Sequence, residues 1–486
     1  MMTKKSKVLS LSDIDGLFPA DLSPDKRAQV KTLFLKKLSL EAHKLYGGKI
    51  QTVPKCGIYG FNWFNVWYTP GVSKISTSIR EANDVSFETT CRGNTVAVVS
   101  DSTRVLGDGD CTPPGGLGVM EGKALIMKYL GGVDAVPLCV DSRNDSGKHD
   151  PAKIIEFVKM CQHSFGAINL EDISQPNCFR VLDELRDACE IPVWHDDAQG
   201  TACVTLAGLI NAVHLAGKKL SDVRIVLLGA GASNTTIARL LMTDGARGEN
   251  IVLFDTKGSL HAGRKDIESS PENYRKWELC RTTNPKRIPT KEEAFKGADV
   301  LVALSTPGPD VVKPEWVRSM APKAVVFACA NPVPEIWPHK AKEAGAYIVA
   351  TGRGDFPNQV NNSICFPGIL KGALAVRARK ISDGMAIRCA HSLADFAKAR
   401  GIGPDNIVPT MDESDVFAVE AADVAEQAVK EGLARVPRTR EEVLAWATRD
   451  IQASRKLFES MMDRGDIPEP EEAMILAARD WALTQA

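Results

Sequence analysis

The sequence predicts an α/β protein of two domains, each built on a parallel sheet, with helical segments at both ends. Three observations predict this class. Short apolar runs alternate with helical segments twice along the chain, which is typical of βαβ units. A glycine-rich turn follows the first strand of the second series. Stretches before and after the two series carry apolar residues at helical spacing.

The composition is that of an ordinary globular protein and excludes several classes of partner. The chain has 486 residues, 44% hydrophobic and 25% charged, with a formal net charge of −1. This balance provides no global field for nucleic acid or an anionic membrane, and we find no apolar run of membrane-spanning length. We therefore expect a small-molecule substrate, with neither nucleic acid nor membrane as a partner.

The cysteines and the N-terminus predict a cytoplasmic location. The 12 cysteines are spread singly, and several lie in apolar runs where a thiol acts as a small hydrophobe. Free thiols in a large chain are typical of a reducing compartment. The first residues include lysines without a sustained apolar segment after them, so we expect no signal peptide.

Four segments are predicted: a helical N-terminal segment 1–58, a catalytic α/β domain 59–215, a nucleotide-binding domain 216–380 and a C-terminal helical segment 381–486. Buried strands are expected at 95–100, 135–140, 165–170 and 191–194 in the first series. In the second series they are expected from 223 onward and at 250–255, 298–305, 324–332 and 346–352. The charged helical end, from Pro437, could pack on a partner subunit, and we expect a homodimer or homotetramer.

The segment "LLGAGASN" follows a strand and opens a helix, which predicts a Rossmann-type NAD-binding domain. Gly229 allows the tight turn, and Gly231 lets a pyrophosphate approach the backbone at the helix N-terminus. The third glycine of the fingerprint is replaced by Asn234. The cofactor-binding residues predicted in this loop are Gly229, Gly231, Ala232, Ser233 and Asn234.

Asp255 ends the next strand, where a carboxylate can bind the ribose hydroxyls of a dinucleotide. The same carboxylate repels a 2′-phosphate, so NAD is favoured over NADP. Lys257 and Arg264 nearby weaken that preference. The alternative is a structural strand–helix turn followed by a surface aspartate.

Two pairs of acids follow neighbouring apolar runs, Glu171–Asp172 and Asp196–Asp197. If both runs are parallel strands, four carboxylates converge at one edge of the sheet. Such a cluster repels itself unless it holds a cation, and Mg²⁺ or Mn²⁺ prefers oxygen ligands. The alternative for either pair is a solvated strand–helix junction with helix-capping roles.

Several further polar residues are candidates for substrate binding and catalysis. Arg104 follows a strand and can bind a carboxylate through two hydrogen bonds. Lys123 lies near the start of a predicted helix, and a lysine close to a metal and an arginine can have a lowered pKa and act as a base. Both could equally be surface cations. Asn331, Asn361 and Asn362 could bind a nicotinamide or a substrate carboxylate, or simply form turns.

In this order, these segments resemble the malic enzymes over residues 61–435. The matching segments are "YTPGV", "TRVLGDGD", "VMEGKA", "GAINLEDI", "HDDAQGTA", "GAGAS", "ANPVPEI", "TGRGDFPNQVNN" and "FPGILKGAL". The resemblance implies NAD(P)-dependent oxidative decarboxylation of malate to pyruvate with a divalent metal. It implies metal ligation by three carboxylates, those of Glu171, Asp172 and Asp197.

The resemblance also implies roles for the remaining polar residues. Arg104 would hold a substrate carboxylate, helped by Asn331 and Asn362, and Asn331 would also contact the cofactor. Lys123 would be the general base on the C2 hydroxyl, with Asp196 tuning its protonation. Tyr68 would donate the proton to the enol of pyruvate.

The chain departs from the family pattern around these motifs, at Ser73, Lys74, Asp108, Cys111, Thr112 and Gly354. Asp108 and Cys111 lie between the arginine and lysine motifs and could reshape the substrate pocket. Two alternatives stay open within the fold. One is malolactic-type decarboxylation without net redox change. The other is dehydrogenation or transfer on a larger cofactor-like substrate that stacks on the tryptophans near Tyr68. A third alternative, of another class, is a metabolite-sensing protein without catalysis.

Overall fold

The computed structural model describes residues 8, 9, 11 and 13–486. The chain forms two compact units, one of Met1–Gln51 with Gln452–Ala486 and the other of Thr52–Ile451. Residues 1–7, 10 and 12 of the predicted N-terminal segment lie outside the described residues. The four predicted segment boundaries stay predictions.

Ten strands and twenty α-helices make up the described chain. The strands are β1 Thr95–Ser100, β2 Asp134–Cys139, β3 Ala167–Leu170, β4 Val193–His195, β5 Ile225–Leu228, β6 Ile251–Asp255, β7 Gly258–Ser259, β8 Val300–Ala303, β9 Val325–Ala328 and β10 Ile348–Thr351. The helices are α1 Pro24–Tyr46, α2 Phe64–Trp67, α3 Val72–Glu81, α4 Ser86–Thr89, α5 Thr112–Gly115, α6 Leu117–Gly131, α7 Pro151–Cys161, α8 Asn177–Ala188, α9 Thr201–Leu215, α10 Ala232–Thr243, α11 Lys265–Glu268, α12 Tyr274–Thr282, α13 Lys291–Phe295, α14 Pro314–Arg318, α15 Pro338–Glu343, α16 Phe366–Ala375, α17 Asp383–Ala399, α18 Asp415–Lys430, α19 Arg440–Arg464 and α20 Glu472–Gln485.

The first sheet has the order β2-β1-β3-β4, and all its pairs are parallel, as predicted. Its central strand β1 is apolar without alternation because both of its faces are covered. Val96 and Val98 pack in a core with Met120 of α6. Ala97 and Val99 belong to a second core, formed with residues of α7 and α8. Helices on both faces leave the strand ends as the place for polar side chains.

The second sheet has the order β10-β9-β8-β5-β6-β7. The five predicted strands are present and pair in parallel, which confirms the doubly wound arrangement. The short β7 pairs antiparallel with β6 and was not predicted, because two residues are too few for a periodic pattern. The strand order reverses beside β5, and a ligand binds at such a point in sheets of this kind.

Helix α9 connects the two sheets and is part of the core. It follows a π-helical turn, Asp196–Gly200. In the described part of the chain, one helical stretch, Asp196–Leu215, is long and apolar enough to cross a membrane, but 78% of its most apolar window is buried inside the protein. Its polar residue Asn211 donates to the carbonyl oxygens of Ala394 (2.9 Å) and Ile407 (2.8 Å). Helix α9 is therefore apolar because it packs inside the protein.

The smaller unit is helical, as predicted for the N-terminal segment. Ser23 caps α1 by accepting a hydrogen bond from Lys26 N at 3.3 Å. Gly47 ends α1 with a φ of +67°, a conformation that glycine adopts without steric cost. The fully buried Phe34 of α1 packs in one core with Ile475 of α20.

Candidate active site

The carboxyl ends of β3 and β4 bring the two acidic pairs together, as predicted. The two strands are neighbours in parallel register, with Leu170 opposite His195. The residues that follow them place carboxylate oxygens of Glu171, Asp172 and Asp197 within 4.8 Å of one another. Four carboxylates thus converge on one edge of the sheet, three of them as a compact oxygen cluster.

The oxygen cluster has a free acceptor directed into a buried site. Asp172 has a φ of +52°, and its backbone N–H donates to Asp197 Oδ2 at 2.8 Å. Asp172 is buried, and among the described residues no donor reaches its Oδ2 atom. A positive φ on a residue other than glycine persists where the surrounding structure imposes it. The backbone is held in this conformation by contacts that also bring the carboxylates together.

Burial and mutual repulsion raise the pKa values of these acids. Burial is the largest cause of the raised pKa of Glu171 and raises the pKa of Asp172, with help from the Asp197 charge, to about 8. A divalent cation among the carboxylates would oppose both burial and mutual repulsion, because its positive charge favours the ionised carboxylates. The donor set, carboxylate oxygens alone, suits a hard ion such as Mg²⁺ or Mn²⁺. Glu171, Asp172 and Asp197 therefore fit the predicted metal site.

Lys123 lies beside the cluster, in the interior of the protein. Its Nζ is 3.1 Å from Glu171 Oε1 and also pairs with Asp196 Oδ2. The Trp194 indole donates to the other Asp196 oxygen at 3.0 Å, and the Nζ lies 4.3 Å from the centroid of the Phe366 ring. The ammonium group is therefore held in one position by two carboxylates and a ring.

The lowered pKa expected for Lys123 depends on a nearby metal ion, and it stays a prediction. Burial opposes the charge of Lys123, but Asp196, Glu171 and Asp197 outweigh that effect and raise its pKa above the usual value. A cation bound to the carboxylates would neutralise much of their charge and so oppose the rise.

The π-helical turn separates the two adjacent aspartates. Asp196 is fully buried and faces Lys123, whereas the Asp197 side chain is 35% exposed and joins the oxygen cluster. A side chain at Gly200 would collide with the Asp196 carboxylate, so glycine leaves room for that group. π-helical turns of this kind are frequent at functional sites.

The glycine-rich loop has the geometry expected for a pyrophosphate. Gly229 has a φ of +91°, and an added Cβ would collide with the Leu304 carbonyl. An added Cβ at Gly231 would meet nothing within 4 Å among the described residues, so the helix N-terminus is open there. Ser233 Oγ donates to the Asp197 carbonyl at 2.8 Å, which ties this loop to the acidic turn.

Ala232 and Asn234, the other two residues predicted to bind the cofactor in this loop, have different positions. Ala232 is the first residue of α10. Asn234 is buried, and its Nδ2 donates to the carbonyls of Leu228 and Gly229, both at 2.8 Å. The residue at the third glycine position thus supports the turn from inside through its side chain.

Asp255 ends β6, as predicted, but its carboxylate already has partners. Arg264 donates to both oxygens, from Nη1 to Oδ1 at 3.0 Å and from Nη2 to Oδ2 at 2.8 Å. The Lys257 backbone N–H donates to Oδ1 at 2.8 Å. A guanidinium therefore lies next to the carboxylate that the sequence predicts to bind the ribose.

The predicted substrate-binding residues surround the same region. Arg104 is exposed, and its backbone N–H donates to the Asp172 carbonyl at 3.0 Å. The exposed Asn331 adjoins the Arg104 loop, because a Cβ on Gly107 would be 2.7 Å from its carbonyl oxygen. Asn362 lies beside Gly200 of the acidic turn. Asn361 accepts a hydrogen bond from Ser363 N at 3.0 Å, which is the turn-forming alternative.

Tyr68, the predicted proton donor, lies exposed on the surface of the single chain. Its side chain is 72% exposed, and within the described residues its hydroxyl makes no hydrogen bond. Asp108, one of the departures, is also exposed. Sequence reasoning missed Asn169, whose Nδ2 donates to Glu171 Oε2 at 2.9 Å. A polar residue inside the buried run before "LED" was the signal for it.

A parallel sheet that ends in a lysine–carboxylate site, tied to a Rossmann-type loop, defines a two-domain nucleotide-dependent α/β enzyme. Two family models match the chain, "Malic enzyme, N-terminal domain" over residues 61–186 and "Malic enzyme, NAD binding domain" over residues 198–429. The chain belongs to the malic enzyme family, whose members are NAD- or NADP-dependent decarboxylating oxidoreductases.

Individual relatives agree with the family models. The crystal structure of Entamoeba histolytica malic enzyme superimposes with a TM-score of 0.96 at 60% identity, covering 98% of each chain. The Bifunctional malic/malolactic enzyme of Bacillus subtilis is 40% identical, over 84% of this chain and 97% of the relative. The NAD-dependent malic enzyme of Geobacillus stearothermophilus is 41% identical, over 80% of this chain and 78% of the relative.

Proposed function

We propose that this protein oxidatively decarboxylates malate to pyruvate with NAD and a divalent cation. The observation that carries the proposal is the position of Lys123, held by Asp196 and Glu171 beside an oxygen-only cluster. Incubation with malate, NAD and Mn²⁺ is expected to form NADH and pyruvate in equal amounts. Failure of malate with both NAD and NADP would overturn the proposed substrate.

In this proposal, cationic and amide side chains orient the substrate. Arg104 has no ion pair among the described residues, so its guanidinium is free to bind one malate carboxylate through two hydrogen bonds. Asn331 and Asn362 lie at the same edge and donate to the second carboxylate. Asn331 Nδ2 also lies next to Gly352, and we propose that this amide contacts the nicotinamide end of the cofactor.

Lys123 is the proposed general base. Glu171, Asp172 and Asp197 would hold the cation. When bound, the cation would supply Lewis-acid chemistry at the substrate oxygen, and a bound nicotinamide would supply the acceptor for the hydride of C2. In its neutral form, Lys123 Nζ takes the C2 hydroxyl proton, and Asp196 holds the nitrogen in position. The buried surroundings exclude bulk water from this proton transfer.

Tyr68 is the proposed proton donor to the enol, and we propose that it acts in the site of a second copy of the chain. Tyr68 lies in an aromatic arm, residues 52–82. The arm exposes Tyr59 (76%), Phe61 (88%) and Tyr68 (72%), and its Trp63 and Trp67 rings lie 5.8 Å apart. Monomeric proteins rarely leave so large an apolar patch in water.

The proposed arrangement is a symmetric homodimer in which each arm covers the other chain's lysine site. A two-fold interface is reciprocal, so both sites are completed at once. The Trp67 indole donates to the Gly57 carbonyl at 2.9 Å, so the arm has internal support without depending on the rest of its own chain.

Mixed dimers test this arrangement. Tyr68→Phe alone is expected to lower kcat by about a hundredfold through loss of the proton donor. A purified heterodimer of a Tyr68→Phe chain and a Lys123→Met chain is expected to regain about half of the wild-type activity, since one of its two sites has both native residues. If each Tyr68 serves its own chain, the heterodimer will stay at the level of the single variants. A monomeric wild-type enzyme with full activity would also contradict the proposal.

NAD is the proposed cofactor, although relatives of both specificities exist, such as the NADP-dependent malic enzyme of Halomonas elongata. Asp255 disfavours a 2′-phosphate by charge repulsion and engages Arg264, the guanidinium that could otherwise bind this phosphate.

Removing the Asp255 carboxylate is expected to shift the preference toward NADP. Asp255→Ser removes the repelling charge and leaves Arg264 Nη1 without its Asp255 partner, while Asp266 still holds the guanidinium in place. The ratio of kcat/KM for NADP to that for NAD should therefore rise by about 10- to 100-fold, the effect of one charge-assisted hydrogen bond. Glu268→Ser is the matched control, because this exposed acid pairs with Lys265. An unchanged ratio in Asp255→Ser would place the ribose away from Asp255.

A second candidate reaction is malolactic-type decarboxylation, which is part of the name of the Bacillus subtilis relative. It predicts lactate from malate with no accumulation of free NADH. Lactate and NADH measured in the same reaction decide between the two candidates.

A cytoplasmic location is also proposed. All 12 cysteines are free, including Cys365 and Cys389, whose sulfur atoms are 3.4 Å apart. Unbonded sulfurs at this separation are typical of proteins in a reducing compartment.

A further inference from the structure

Four metal-ligand side chains meet in the helical core of the larger unit, apart from the oxygen cluster. Cys203 lies on α9, Cys365 immediately precedes α16, Cys389 lies on α17 and Glu420 lies on α18. Each of the four is 0% exposed. Four chain segments that are distant in sequence thus contribute one ligand-type group each to a single point.

The three sulfur atoms are close enough to share one metal ion, and the Glu420 carboxyl adjoins one of them. The three sulfur atoms lie within 4.8 Å of one another, and those of Cys365 and Cys389 are 3.4 Å apart. Cys389 Sγ is 3.0 Å from Glu420 Oε1. A tetrahedral zinc ion with Zn–S bonds of about 2.3 Å separates its sulfur ligands by roughly 3.8 Å. The sulfur separations bracket this value, and Glu420, which contacts Cys389, is the carboxyl group available as the fourth ligand.

Glu420 is the second, independent observation that points to a cation. Its Oε2 atom is fully buried, and no described residue donates a hydrogen bond to it. The nearby Ile369 N–H, which helps to lower the pKa of the carboxyl, donates to the Cys365 carbonyl at 3.2 Å. An added Cβ at Gly368 would collide with Oε2, so glycine keeps this space for the carboxyl group. Burying such a group without a partner is unfavourable, and a bound cation would provide the partner.

We propose that Cys203, Cys365, Cys389 and Glu420 bind a structural zinc ion that joins α9, α16, α17 and α18. The site is closed, with four protein ligands and no open position, which is typical of structural rather than catalytic zinc. The soft sulfur ligands select zinc, whereas the oxygen cluster selects Mg²⁺ or Mn²⁺. One chain would thus hold two metals of different chemistry.

Metal analysis of the full-length wild-type protein tests the proposal without any substitution. After purification in the presence of zinc and passage through a chelating column, about one zinc ion per chain is expected to remain. Unfolding, refolding and loading with Co²⁺ should produce thiolate-to-cobalt charge-transfer absorption and intense tetrahedral d–d bands. An oxygen-only site produces no sulfur charge transfer, so the spectrum separates the two metal sites. Absence of retained zinc together with absence of this absorption would overturn the proposal.

Variants locate the metal. Cys389→Ser and Glu420→Gln are expected to lose most of the retained zinc, and Cys389→Ser should also weaken the charge-transfer band. Cys280→Ser is the matched control, a cysteine 1% exposed that lies outside the group, and it should keep both signals. Retention of zinc in Cys389→Ser, or a Cys365–Cys389 disulfide in peptide mapping of freshly isolated protein, would contradict the assignment. If Cys389→Ser does not fold, Glu420→Gln and the wild-type spectrum still decide the question.

Discussion

Replacing Lys123 with methionine is expected to lower kcat for malate oxidation by about a thousandfold, while KM for malate changes little. The reason is the loss of the proposed general base, whose contribution to catalysis is typically 10²- to 10⁴-fold. A thousandfold loss corresponds to about 4 kcal/mol of transition-state stabilisation. Steady-state kinetics with saturating Mn²⁺ and NAD measure the effect.

The control for this substitution lies further along the same helix. Lys128 of α6 is 42% exposed and pairs with Asp134 at 2.8 Å, so Lys128→Met should leave kcat within about twofold, as for surface changes in general. Both variants are also to be compared by thermal unfolding. A Lys123→Met enzyme that is folded and keeps more than a tenth of the activity would show that another group removes the proton.

Removing one carboxylate of the oxygen cluster is expected to produce the second large effect. Asp197→Asn should raise the Mn²⁺ concentration needed for half-maximal activity by at least about 10- to 100-fold, because the effect of losing even a supporting residue of a metal site is of this size. A chelator should abolish wild-type activity, and added Mn²⁺ should restore it. Titration of activity against Mn²⁺ measures the shift.

Asp187→Asn is the matched control for the metal prediction. This exposed aspartate lies near the end of α8, outside the oxygen cluster, and its substitution should leave the Mn²⁺ titration unchanged. An Asp197→Asn enzyme with the wild-type Mn²⁺ dependence would exclude Asp197 from the metal site. Activity that survives complete chelation would exclude the need for a divalent ion.

The sheet strands and the convergence of the acids were predictable from the sequence. Buried parallel strands are continuous apolar runs, and that pattern is local, so β1, β3 and β4 could be placed within one or two residues. Parallel strands end at one edge, and this topological rule is enough to place Glu171 and Asp197 together from the order of the strands alone.

Other features of the site could not be predicted, because they depend on contacts between distant parts of the chain. The partner of Asp255 is Arg264, and whether this arginine faces the carboxylate or the solvent is a matter of side-chain packing. The same holds for the raised pKa of Lys123, which depends on three carboxylates at the ends of two other strands. Nothing in the motif around Tyr68 indicates that its side chain is exposed.

The sequence by itself therefore determined the fold class, the family and the residue types of the site, because these depend on local periodicity and on the order of short motifs. The tertiary structure alone decided which neighbours each group has. Asp196 faces Lys123, whereas Asp197 joins the oxygen cluster, although the two are adjacent in the chain. Cys203, Cys365, Cys389 and Glu420 meet although no spacing connects them. Such contacts are set by the packing of helices in three dimensions, and the spacing of the residues along the chain does not predict that packing.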